Sequence, residues 1–167
     1  YSAIGRAIDA GALRAVSVTC SGYTSGESLS FYQGHPDVLP WRRATRIGVP
    51  IRLNTDHLLA SSAIPFVFPA IKIHREFFGD GSMRQLAPIS PAVHMGAGRI
   101  LVIGAGRTKN ETRRVSSDRY PSLAQIAGHA MSSIFVDGLA VDLERIDGMN
   151  RTLARIPEPV RAEHGIA

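Results

Sequence analysis

The run Arg99-Ile-Leu-Val-Ile-Gly104 narrows the folds open to this chain more than any other segment. Its four consecutive branched apolar side chains, bounded by Gly98 and Gly104, offer no polar face to water. That is the pattern of a strand covered on both faces, as in a parallel sheet, and it predicts α/β layering. The C-terminal third has helical periodicity. Leu123, Ile126, Ala127, Ala130, Met131, Ile134 and Phe135 recur at three- and four-residue spacing, and Leu139, Leu143, Ile146, Met149 and Leu153 continue the pattern past a break near Asp137-Gly138.

Upstream the period changes to two. Leu13-Arg-Ala-Val-Ser-Val-Thr19 and Ser28-Leu-Ser-Phe-Tyr-Gln33 alternate in polarity around the turn-rich Cys20–Glu27, so they predict a hairpin. Residues 34–50 hold three prolines and the lone Trp41, and are expected to form an irregular connection. Asn54 or Thr55 caps a short helix that starts near Asp56 and must stop by Ile64-Pro65. Phe66-Val-Phe-Pro69 and Ile71-Lys-Ile-His74 are expected to be extended. Glu76-Phe-Phe-Gly79 then leads into an Asp80-Gly81 turn, and a helix from Ser90 to Met95 ends at Gly96.

With 167 residues, 44% of them hydrophobic and 20% charged, the chain has the size and balance of one globular domain. No stretch reaches the roughly 18 apolar residues of a membrane span. The single Cys20 excludes an internal disulfide framework and suits a reducing compartment, so a cytoplasmic location is expected. The chain begins at Tyr1 with neither an initiator methionine nor a signal-peptide pattern, and is expected to be a portion of something longer. All basic residues but Lys72 and Lys109 are arginine, and the net charge is +5. Five positive and two negative charges crowd Arg107–Arg119. This segment reads first as a solvated loop and second as a peripheral contact with anionic lipid. Without interleaved aromatics it does not read as a nucleic-acid site.

Several chemistries fall away. Gly104-Ala-Gly106 follows the apolar run, but Lys109 stands where a dinucleotide fingerprint needs its third glycine. There is no phosphate-cradling P-loop. His35, His57, His74, His94, His129 and His164 never occur at the spacings that bring two imidazoles onto one metal, so no metal site is predicted. Cys20, at a strand end, reads as a small core-edge residue rather than a nucleophile.

One series of segments carries more. Leu58-Leu-Ala-Ser-Ser-Ala-Ile-Pro-Phe-Val-Phe-Pro69 is followed by Phe78-Gly-Asp-Gly-Ser82, Ala87-Pro-Ile-Ser-Pro-Ala92 and Gly96-Ala-Gly-Arg-Ile-Leu-Val-Ile103. In order and spacing these resemble the C-terminal half of the patatin-like phospholipases, most specifically from Ala60 to Asp80. Thr24-Ser-Gly-Glu-Ser-Leu-Ser-Phe31 and Asp142-Leu-Glu-Arg-Ile146 are also similar to family members. The resemblance implies a three-layer α/β/α fold with a central, mainly parallel sheet, incomplete here because its N-terminal part is absent. Residues 1–167 would be the C-terminal portion of one domain, with 1–121 forming sheet and 122–155 the C-terminal helices.

The resemblance also implies chemistry. In the family the aspartate of an Asp-Gly turn pairs with the serine of a Gly-x-Ser-x-Gly elbow in a dyad that needs no metal or cofactor. The matching aspartate is Asp80, with Gly79, Gly81 and Ser82 supporting its turn and Ala60, Ser61, Ser62 and Pro65 as motif positions nearby. Ser82 departs from the usual glycine, which affects the turn rather than the aspartate. A positioned carboxylate suits the task, because a serine hydroxyl is a weak nucleophile until a base accepts its proton. Yet the sequence holds no Gly-x-Ser-x-Gly and no glycine-rich oxyanion segment, and Ser61, Ser62 and Ser82 are not assigned as nucleophiles. The expected function is thus part of an acyl hydrolase that acts on fatty-acyl esters or phospholipids, inactive by itself. Its expected partner is the N-terminal portion of the same domain or a second copy, meeting an exposed sheet edge. The alternative is a non-catalytic lipid- or partner-binding α/β module.

Overall fold

The computed structural model describes residues 2–84, 88–103, 122, 123, 126 and 143–163. Helix α1 (Ser2–Asp9) precedes strands β1 (Ala15–Gly22), β2 (Ser28–Gly34), β3 (Trp41–Arg43) and β4 (Arg46–Pro50). Helix α2 (Thr55–Ser61), strands β5 (Ile71–Ile73) and β6 (Glu76–Asp80), a 3-10 turn (Gly81–Arg84) and helix α3 (Ser90–His94) follow. Residues 143–154 are helical, and a short helix spans Glu158–Glu163.

The α/β class holds, but the sheet is not mainly parallel. Its order is β3-β4-β2-β1-β6-β5, and among the described strands only β2 and β4 run parallel. The cause is short connections. The five residues between β1 and β2, and the two each between β3 and β4 and between β5 and β6, allow only antiparallel return. The β1–β2 hairpin is the one the alternation predicts, with register Ala15↔Gly34 through Ser21↔Ser28.

The alternation decides which face is apolar. Val16, Val18 and Cys20 share a face with Leu29 and Phe31, and that face meets α2. Cys20, Phe31, Leu53, Ala60, Ile73 and Phe78 form the buried cluster there. Phe31 sets its ring edge-on to Phe78 at 5.4 Å and to His57 at 5.0 Å, an arrangement suited to aromatic quadrupoles. The other face carries Ser17, Thr19, Ser28 and Ser30, and the Thr19 and Ser30 hydroxyls pair at 3.2 Å. Helix α3 is tied to β3 by His94, stacked on Trp41 at 4.8 Å. Helix α2 begins as the sequence predicts. Asn54 Oδ1 accepts from the His57 amide at 3.3 Å while His57 Nδ1 accepts from the Asn54 amide at 3.2 Å, a reciprocal cap that satisfies two first-turn donors.

Three expectations need correction. Residues 34–50 contain the β3–β4 hairpin, whose strands are too short and too arginine-rich to show a period. Residues 66–69 are not extended: Ile64 O accepts from the amides of Val67 and Phe68, and the segment turns. The described part of the Arg99–Gly104 run, residues 99–103, is no strand. Leu101 and Ile103 are 86% and 87% exposed, because no described strand lies beside them. In the C-terminal third Leu123, Ile126 and residues 143–154 are helical as expected, though Leu123 and Met149 face solvent. The rest of that pattern, and Arg107–Arg119, lie outside the described residues.

Candidate functional site

Asp80 is the last residue of β6, paired with Cys20 of β1 where the two strands part. Two neighbours fix its backbone. Its amide donates to Ala63 O at 3.0 Å, so the end of α2 holds the end of β6. Beyond it, Gly81 passes so close to β1 that a Cβ would stand 2.1 Å from Thr19 O. Only glycine fits there, and the reason is contact rather than an unusual φ. Gly79 is also buried, with the Tyr23 hydroxyl 2.5 Å from where its Cβ would be.

The carboxylate itself is partly exposed. Its Oδ1 accepts from the Ser82 amide at 2.9 Å and from Ser82 Oγ at 2.5 Å, so the Asp-Gly-Ser variant of the turn braces one oxygen twice. Among the described residues Oδ2 accepts no hydrogen bond. Here the carboxylate borders a cleft of about 440 Å³, lined by Ser17, Val18 and Thr19 of β1, by Ser61 and Ser82, and by Pro91 and Met95 of the α3 wall. A cleft of about 420 Å³ beside Pro36 and Pro40 holds neither a carboxylate nor a serine among its lining residues. The Asp80 cleft is therefore the better candidate site.

The other sequence-predicted positions divide by role. Ala60 is fully buried in the core, and Pro65 is half-buried in the turn after α2. The hydroxyls of Ser61 and Ser62 both donate back to Leu58 O, at 2.9 and 3.0 Å, which is ordinary helix-end bonding. Ser61 lines the cleft; neither is poised as a nucleophile. Cys20 is completely buried with its sulfur 3.6 Å from His57 O. Burial, then the nearby Asp80 charge, pushes its thiol up to about 12, so it stays protonated and inert. His57 is buried, and burial is the main cause of its depressed pKa. Among the described residues no group of three His, Cys, Asp or Glu side chains is placed to hold a metal ion.

The exposed sheet edge that the sequence predicts lies along β1; what the sequence does not reveal is that this edge walls the cleft. β6 pairs with β1 only from Cys20 to Gly22, so the side of Ala15–Thr19 turned away from β2 is paired with no described strand. The Ser17 hydroxyl is buried there with no hydrogen-bond partner among the described residues. The one available signal was the shortness of Glu76–Asp80 beside the longer Leu13–Thr19 run. Compared with protein-family models, curated proteins and solved structures, the chain gives no match.

Proposed function

We propose that this chain is the C-terminal part of a patatin-like acyl hydrolase, a phospholipase A or lipid esterase, in which Asp80 is the base of a Ser-Asp dyad. One observation carries the reading: Asp80 lines an open cleft with one carboxylate oxygen braced twice by Ser82, while the other accepts no hydrogen bond from the described residues. The nucleophilic serine and the oxyanion amides come from residues outside this sequence, and the edge of β1 that no described strand pairs is where their strand joins. That joining would extend the sheet of a three-layer α/β/α fold, in keeping with α2 and α3 on opposite faces. The supplier is the N-terminal portion of the same domain or a second copy.

The chemistry follows from the braced carboxylate. As the serine oxygen bonds to the ester carbonyl carbon, its proton passes to Asp80 Oδ2, and the carbonyl oxygen becomes an oxyanion held by backbone amides. Collapse expels the alcohol, which takes the proton from Asp80 and leaves an acyl-serine. Water then repeats the sequence, giving its proton to Asp80 while its oxygen attacks, and the fatty acid departs as serine recovers its proton. No metal takes part. The protein is expected in the cytoplasm, working at a membrane surface.

The test is Asp80→Asn in the assembled protein, followed by p-nitrophenyl ester hydrolysis. Loss of a positioned general base lowers turnover by about 10²–10⁴-fold. Unchanged turnover ends the assignment and leaves the non-catalytic lipid- or partner-binding module in its place.

A further inference from the structure

We propose that the turn at residues 65–68 is an interfacial anchor that docks this protein on an anionic phospholipid bilayer. The proposal takes its purpose from the acyl-hydrolase reading, but it rests on separate observations. Three consecutive large apolar residues stand in water: Phe66 is 98% exposed, Val67 62% and Phe68 56%. They are not a loose strand end. Ile64 O accepts from the Val67 amide at 3.1 Å and from the Phe68 amide at 2.9 Å, so the tip is held in shape. Phe66 adopts φ 65°, a conformation uncommon for a bulky side chain. Strain of this kind gathers at functional sites, and here it projects an aromatic ring away from the core.

The surrounding charge selects the occupant. From His57 to Arg75 the sequence contains no Asp or Glu, whereas Lys72 and Arg75 are both exposed. Phe77, half exposed, lies under the Lys72 ammonium at 5.8 Å and extends the pairing of aromatic and cation. The acids that bound this window are Asp56, exposed at the start of α2, and Glu76, whose Oε1 is engaged by the Thr24 and Ser25 amides. Aromatic side chains beside basic ones match the headgroup layer of an anionic membrane, where rings sink to the acyl boundary and cations meet phosphate. A protein partner fits less well. A stable interface buries about 800 Å² on each side, far more than three side chains at a turn present.

The position gives the anchor its use. Ala63, whose carbonyl holds the Asp80 amide at 3.0 Å, lies three residues before Phe66. Three residues reach at most about 10 Å, so a bilayer that takes up the tip lies beside the Asp80 cleft. An acyl ester could then enter the cleft without crossing open water.

The experiment is co-sedimentation of the protein with vesicles of phosphatidylcholine, alone or mixed with phosphatidylglycerol. Phe66→Ser/Phe68→Ser serves as the variant, and its fold is checked by circular dichroism. The wild type should partition onto the mixed vesicles, and the variant should bind at least about tenfold more weakly. A Phe66→Trp protein should shift its emission to the blue on binding, as a ring entering hydrocarbon does. No partitioning by the wild type, equal partitioning by the double variant, or an unshifted Phe66→Trp emission overturns the proposal. A dimer that Phe66→Ser/Phe68→Ser abolishes overturns it in favour of a second copy. Because partitioning needs no turnover, failure of the anchor and failure of the hydrolase reading are separate observations.

Discussion

Gly81 is the least replaceable residue of the candidate site. A methyl group there would meet the Thr19 carbonyl, part of a sheet backbone that cannot swing aside as a flexible side chain would. Gly81→Ala should therefore cost about 1–3 kcal/mol, the usual price of forced overpacking, read as a lower denaturant midpoint. Gly98→Ala, which meets nothing within 4 Å, should change stability by less than about 0.5 kcal/mol. Equal effects at the two positions would refute the packing argument. That the chain changes direction after Asp80 was legible in the sequence from Asp-Gly, but the contact with Thr19 that demands the glycine comes from a strand distant in the sequence and was not. Nor was the double brace from Ser82, since an Asp-Gly-Ser string does not reveal which way the serine hydroxyl points. Cys20, read as a small core-edge residue, is indeed in the buried core, and lies deeper than an edge because β1 runs two residues past it to Gly22.

Among the elements, α3 has the most conditional attachment. His94 is held below its ordinary value of 6.5 by burial first and by the Arg43 and Arg46 charges after it, so it is neutral at pH 7 and stacks on Trp41. Since its folded-state pKa is depressed, the unfolded chain binds more protons in the window just below 6.5. The stabilisation is complete above that value and is lost as the pH falls through the folded pKa. His57, also depressed by burial, adds a change of the same sign. Trp41, the only tryptophan, reports on the stack directly. Acidification from about pH 7 to about pH 5, where histidine charges, should change Trp41 emission and lower the thermal midpoint. His94→Gln should abolish the emission change and reduce the fall in midpoint without removing it. An emission titration that survives in His94→Gln would refute the assignment. Local chemistry made the ends of α2 and α3 readable: Asn54 caps one and Gly96, at φ 88°, closes the other. The β3–β4 hairpin was hidden because strands of three and five residues show no pattern of their own, and β4 is held in the sheet by pairing with β2.

Across the whole molecule two unfinished surfaces lie close together. Among the described strands, Ala15–Thr19 of β1 is paired only with β2, and Arg14, just before it, donates from Nε to Met95 O at 2.9 Å. That bond brings the end of α3, and so the start of the exposed 99–103 run, to the beginning of the open edge. The run was misread as a buried strand because apolar composition states what a segment needs to cover and cannot state whether the covering strands are at hand. An open edge beside exposed branched side chains is a template for strand addition. The purified chain should therefore self-associate with rising concentration, as measured by light scattering. Leu101→Asp/Ile103→Asp should suppress the association, since a charge on each side chain opposes burial against another copy. Both residues are more than four-fifths exposed, so the unfolding midpoint should move by less than about 0.5 kcal/mol equivalent. A protein that stays monomeric at every concentration would show the edge to be closed in solution. Association that persists in the double variant would place the contact elsewhere, and would remove the reason for joining the nucleophile-bearing strand at β1.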